Sequence, residues 1–259
     1  LTERSVGFEA TVRNESAQTA LVAIQGPEAA RILSMVLPEE EAAALPELKY
    51  YAARTVTVRT GTGEVPVLLA RTGYTGEDGF ELIIGPVADR DELSAAATGV
   101  WHALSAAGAE AGVELLPCGL ASRDSLRLEA GMPLYGNELS LEVSPYDAGL
   151  GPIVALKKEG EFVGRAALEA QKEHGSKRKL VGLKGLGRRA ARSHYPVSKD
   201  GQAVGEVTSG QPSPTLGYPV ALAYVDIEHI EPGTRLDVDL RGKPEPFEVV
   251  ALPFYKRTS

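Results

Sequence analysis

Residues 71–82 read RTGYTGEDGFEL. Gly73, Gly76 and Gly79 recur every third residue, with Tyr74, Glu77 and Asp78 between them and Glu81 just beyond. Glycines at this density supply the positive φ that a tight turn needs. A phosphate loop is excluded: no Lys-Ser/Thr pair follows the glycines, and a strand follows where a helix is required. A calcium loop is excluded because the twelve-residue ligand spacing fails. What remains is a turn running into a strand over Phe80–Ile84. There Phe80, Leu82 and Ile84 share one face and Glu81 points to the other. A partly buried carboxylate needs hydrogen-bond or charge partners, so Glu81 is the residue a plain turn leaves unexplained.

Outward from this stretch the pattern is mixed. LVAI at residues 21–24 reads as a buried strand, and Gly26-Pro27 opens a helix with apolar Ala29, Ile32, Leu33 and Val36. TVTV (55–58) and VPVLLA (65–70) flank RTGTGE as a hairpin. A helix is predicted over 89–107, with Leu93, Ala96, Val100 and Leu104 at helical spacing. A second is predicted within PCGLASRDSLRLEA (117–130), stopped by Gly131. Beyond Gly175, strand-like runs (LVGL, PVALAYV, RLDVDL, FEVVAL) alternate with Gly and Pro turns. QKEHGSKRK reads as the linker to this all-β module. The class is α+β, with antiparallel sheets, helices and a C-terminal barrel or sandwich.

The bulk composition narrows the function. The chain has 259 residues, net charge −8, 43% hydrophobic and 24% charged residues, an ordinary globular balance. An acidic chain gives no general support for a nucleic-acid partner. One cysteine excludes an intrachain disulfide and a multi-cysteine zinc site, and the four histidines are scattered; no metal is expected. No apolar run is long enough for a membrane span, and the first residues lack a signal-peptide pattern. The expected compartment is the cytoplasm or a reducing organelle. Charge is uneven: Lys157 to Arg192 holds eleven Lys/Arg against four Glu, a basic stretch suited to an acidic partner.

Other polar motifs carry a structural and a functional reading side by side. In SRDSLRLEAG, Arg123 and Arg127 are i, i+4 and share a helix face, and Asp124 is placed to pair with Arg127. This is a salt-bridged surface, or a planar donor fork for a carboxylate or heteroaromatic edge. GEVTSGQPSP (205–214) reads as turn chemistry ending a strand. Cys118 reads as inert packing. PFYKRTS puts Tyr255 and Arg257 in a terminal tail.

Together these pieces resemble one family. YTGEDGFE, then PCGL-A-RDSLRLEAGMPLYGNEL, then GLG, then G-VTSG--SP, then PFYKR are similar to the aminomethyltransferase, or T-protein, of the glycine cleavage system. VRNESAQTALVAIQGPEAA matches the family's lead-in. The resemblance implies a multidomain fold that binds tetrahydrofolate. It implies transfer of a one-carbon unit from the aminomethyl-lipoyl arm of the H-protein to tetrahydrofolate, with release of ammonia.

By the same resemblance Glu81 accepts from the pterin edge, Arg123 neighbours it, Tyr74 lines the wall, and Arg257 lies near the folate. Met132 stands where family members often have tyrosine. The family's catalytic aspartate lies upstream in a motif like NASNxxKD. The asparagines here are Asn14 and Asn137 and neither lies in such a motif, so no catalytic residue is assigned and low activity is expected of the chain alone. The family pattern also implies a folate-binding α+β domain at 20–140 and remnants of an interrupted second domain at 1–19 and 141–172. A barrel-like domain is implied at 176–259. Exposed apolar surface is expected where the upstream part would pack. The alternatives are another folate enzyme on this scaffold, a demethylase or a sarcosine-type dehydrogenase domain, and a non-catalytic folate-binding fragment.

Overall fold

A computed structural model describes residues 1–257. The chain divides into two compact units. The first takes Leu1–Gly73 and Glu77–Pro117; the second takes Tyr74–Gly76 and the chain from Cys118 onward.

The first unit is built on four antiparallel strands, β1 (Ala20–Gln25), β2 (Ala53–Thr60), β3 (Gly63–Ala70) and β4 (Gly79–Ile84), in the order β1-β4-β3-β2. The β2–β3 hairpin forms as the alternating pattern predicts. Period-two alternation selects the buried face: Val22, Ile24, Val56, Val58, Val67, Leu69, Phe80, Leu82 and Ile84. Helices α1 (Ala29–Met35), α2 (Glu39–Ala43) and α3 (Arg90–Glu110) accompany the sheet. Ile32 and Leu33 of α1 and Val100 and Leu104 of α3 join the sheet residues in one core. Each fully buried side chain of this size contributes roughly 1.5–3 kcal/mol.

Helix α1 begins later than Gly26-Pro27 suggests. Gly26 adopts φ +126, Pro27 sits in the turn, and the Ala29 N–H closes it on the Gly26 carbonyl. Helix α3 starts where the sequence places it. The Asp89 carboxylate accepts from the Asp91 and Glu92 N–H groups and caps the first turn.

In the second unit, α4 (Leu120–Glu129) is followed by α5 (Arg165–His174). Six strands then close an antiparallel barrel: β5 (Arg178–Gly185), β6 (Pro196–Lys199), β7 (Gln202–Pro212), β8 (Pro219–Asp226), β9 (Arg235–Asp239) and β10 (Pro244–Val250). The barrel interior holds Leu183, Val197, Val207, Ala221, Ala223, Val225, Val238 and Phe247.

Two linker-level expectations change. QKEH is the end of α5, so the loop before the barrel is Gly175, Ser176 and Lys177 alone. GEVTSGQP is not a turn: it is strand, within β7, and the β7–β8 register shifts between Val207 and Ser209. The bulge inserts one residue, so Thr208 steps aside and Ser209 stays buried.

Candidate functional site

The loop of residues 71–79 hangs from β3 and β4 and is held from within. The Arg71 guanidinium donates to both Asp78 oxygens, at 3.0 and 2.7 Å, and to the Leu48 carbonyl. This bidentate pair makes Asp78 turn chemistry; its hydrogen bonds are the main cause raising Arg71 above the usual guanidinium value.

Gln25, at the end of β1, donates from Nε2 to the Thr72 carbonyl at 3.0 Å and the Phe80 carbonyl at 3.4 Å. Two of the loop's glycines are explained by this amide. A Cβ on Gly73 would stand 1.9 Å from Gln25 Oε1, and one on Gly79 would stand 2.3 Å from Gln25 Cδ. They are glycines because the Gln25 amide occupies the space a side chain would fill.

Glu81 stands on the sheet face opposite the core, half-buried. Its cross-strand neighbours are Ala23 on β1 and Ala70 on β3. The next row on that face is Leu21, Ile83 and Leu68, with Leu21 55% and Leu68 43% exposed. The Thr72 hydroxyl donates to Glu81 Oε2. The result is a carboxylate oriented by one hydroxyl, flanked by small side chains, at the end of an open apolar row. Such a surface suits a flat ring that offers N–H donors at one edge.

Tyr74 and Arg123 belong to the second unit and meet there. The Arg123 guanidinium lies 4.7 Å over the Tyr74 ring, a cation–π distance. The Tyr74 hydroxyl donates to the Pro133 carbonyl at 2.5 Å. Burial is the main cause raising its phenol above the ordinary value. Arg123 is exposed. Arg257 is exposed too, two residues after Tyr255, whose N–H reaches the Glu129 carbonyl at 2.8 Å. The last two residues of PFYKRTS lie outside the described residues.

The two arginines predicted to share a helix face have parted roles. Arg127 is buried, donating to Asp124 at 2.7 Å, Glu138 at 3.0 Å, Ser209 at 2.8 Å and the Met132 carbonyl at 3.1 Å. Asn137 also donates to Ser209, at 3.1 Å. RDSLR, GNEL and VTSG therefore converge on one buried polar node, which fixes Arg127 as structural and leaves Arg123 accessible. Met132 takes the backbone role of a helix end: its N–H reaches the Arg127 carbonyl while Gly131 (φ +68) reaches Leu128, a Schellman arrangement.

Glu129 is a second buried acid, accepting from Ser213 and Thr215. The Asp124–Arg127 pair was legible from its spacing; the links to Ser209, Ser213 and Thr215 were not, because those partners lie 82 to 86 residues away in sequence.

Cys118 is exposed rather than packed. The basic stretch is partly neutralised locally: Arg165 pairs with Glu169, Arg178 with Asp226 and Arg189 with Glu245. Lys184 lies 4.6 Å over Tyr218. A cleft of about 580 Å³ in the second unit is lined by Asp147, Lys177, Glu206 and Tyr224 among others; none of Tyr74, Glu81, Arg123 and Arg257 lines it. Among the described residues no helix is long and apolar enough to cross a membrane, and no group of three His, Cys, Asp or Glu side chains is placed to hold a metal.

Residues 1–158 match the family model described as the GCVT N-terminal domain, and residues 178–256 match the glycine cleavage T-protein C-terminal barrel domain. The chain belongs to the glycine cleavage T-protein family. It is 55% identical to an aminomethyltransferase of Streptomyces coelicolor, covering 99% of this chain and 65% of that relative. It is 52% identical to one of Saccharopolyspora erythraea, covering 66% of it. The chain thus spans just under two thirds of the length of these family members. A solved structure, glycine cleavage system aminomethyltransferase T from Bartonella henselae, matches with a TM-score of 0.65 and 25% identity, over 93% of this chain and 85% of that one.

Proposed function

We propose that this chain binds tetrahydrofolate and serves aminomethyl transfer in the glycine cleavage system. The observation that carries the reading is Glu81: an oriented carboxylate on the open face of the sheet, between Ala23 and Ala70, beside the row Leu21, Ile83 and Leu68. A pterin edge presents N–H donors next to one another, and an ionised carboxylate accepts two at once with charge-assisted strength. The flat apolar row offers cover for the ring. Tetrahydrofolate, when bound, supplies the nitrogens that accept the one-carbon unit.

The protein's own residues then bind and orient. Glu81 fixes the ring edge; by the family resemblance alone, Arg123, held over Tyr74, is a further folate contact that presents a planar donor. Tyr74 gives an aromatic wall, and Arg257 adds a cation near the folate. The donor partner is the lipoylated H-protein, whose arm brings the aminomethyl group; ammonia and the dihydrolipoyl arm leave. The cytoplasm is the compartment this reading takes.

The test is formation of methylene-tetrahydrofolate from aminomethyl-loaded H-protein and tetrahydrofolate. Product formation that depends on both, and falls with Glu81→Ala in the same chain extended to the relatives' length, supports the reading. Product formation indifferent to Glu81→Ala overturns the assignment of that residue.

A further inference from the structure

We propose that Thr72 and Gln25 are positioning residues that set the affinity of the Glu81 site. The inference rests on the reading of Glu81 as the acceptor for tetrahydrofolate and adds how the protein holds that carboxylate. Thr72 donates its hydroxyl to Glu81 Oε2. One lone pair of one oxygen is thereby engaged, and the carboxylate is pinned in one orientation with its remaining acceptor sites open.

Thr72 is itself held by Gln25, whose amide donates to the Thr72 carbonyl at 3.0 Å and to the Phe80 carbonyl at 3.4 Å. Phe80 immediately precedes Glu81. One amide therefore ties both ends of the glycine loop, the end that supplies the orienting hydroxyl and the end that carries the carboxylate. The fit around it is tight on both sides, since Gly73 and Gly79 each leave no room for a Cβ beside it. Gln25 is also matched to Gly79 across the β1–β4 ladder, so its backbone is fixed by the sheet. A carboxylate free to swing would lose rotamer entropy on binding; one already pinned does not.

The experiment is calorimetric titration of this chain with tetrahydrofolate, with thermal melting of each variant alongside. Thr72→Val keeps the shape and removes the donor; Thr72→Ser keeps the donor. Gln25→Met keeps the length and removes the amide. The expected result is a loss of about tenfold in affinity for Thr72→Val and for Gln25→Met, the scale of one hydrogen bond to a charged group. Thr72→Ser is expected to stay within about threefold of wild type, with both Thr72 variants melting close to wild type and Gln25→Met somewhat lower for its lost amide hydrogen bonds. Equal losses in Thr72→Val and Thr72→Ser, or losses in the Thr72 variants that follow their melting points, overturn the proposal in favour of a purely structural role. Unchanged affinity in Thr72→Val while Glu81→Gln binds weakly overturns positioning and leaves the Glu81 reading intact. A wild type that does not bind, or binds as well with Glu81→Gln, overturns that reading and the proposal with it.

Discussion

Arg127 Nη1 lies 3.0 Å from Glu138 Oε2, and the two side chains are 2% and 0% exposed. Two charges out of water are tolerated because each has other partners: Arg127 reaches Ser209, Asp124 and the Met132 carbonyl, and Glu138 also accepts from the Leu134 N–H. Removing one member strands the other. Arg127→Leu is expected to destabilise by about 3–5 kcal/mol, because Glu138 is left buried and uncompensated. Asp124→Asn, at a half-exposed partner, is expected to cost under about 1 kcal/mol. Urea midpoints of the two variants check this; equal costs would show that the node is not the buried pair described.

This node also marks the limit of what the chain reveals before folding. The strand alternation of β4 was legible, because Phe80, Leu82 and Ile84 repeat at the period of a sheet. So was the span of α3, because Asp89 caps it and Leu93, Val100 and Leu104 follow at helical spacing. An all-β final third was legible from its spaced strand runs, which left barrel and sandwich open; the closure of β10 on β5 and β9 decides for the barrel. The bulge that turns VTSG from turn to strand was not, since Gly and Ser favour turns locally and only pairing with β8 overrides them. Helix α5 was hidden inside a charged stretch that read as linker.

Of the candidate site, Glu81 stood out as an acid in a strand, but Gln25 did not. It reads as an ordinary strand end, and its partner Thr72 is 47 residues away. The separate fates of Arg123 and Arg127 were equally hidden, because their spacing shows a shared face and not which end of it is buried.

The seat of Gln25 predicts how its glycines respond to change. Gly73→Ala puts a Cβ where the amide oxygen lies, and the amide is the far end of a flexible side chain. The expected outcome is a folded protein that loses about 1 kcal/mol, the net worth of a displaced hydrogen bond. Gly73→Ala combined with Gln25→Ala should cost no more than Gln25→Ala alone, since the clash is gone. Denaturant melts of the three variants decide it; additive losses would place the strain elsewhere.

Helix α3 depends on its first turn. Asp89→Ala removes the acceptor for the Asp91 and Glu92 N–H groups, both at 2.9 Å. About 1 kcal/mol of stability is expected to go with it. Asp89→Ser should retain most of that. A melting point unchanged in Asp89→Ala would contradict the capping role.

Tyr224 predicts a response to alkali. Burial, with Glu138 and Asp147 nearby, raises its phenol well above the ordinary value, and its hydroxyl donates to the Glu138 carbonyl at 2.7 Å. The raised group favours the protonated form when folded. Its contribution is complete below the unfolded phenol value of about 10 and is lost as pH climbs through the folded one. Between about pH 8 and about pH 11 the wild type should therefore lose more stability than Tyr224→Phe. Parallel losses in urea melts would show that Tyr224 is not the group responsible.

Calorimetric titration with tetrahydrofolate decides whether Glu81 is the folate acceptor. Glu81→Gln keeps the size of the side chain and removes its charge and half of its acceptor capacity. Saturable binding by the wild type is expected, with a loss of at least about tenfold in Glu81→Gln, the scale of a charge-assisted hydrogen bond, and an unchanged melting point. Equal affinity in the two proteins would contradict that assignment.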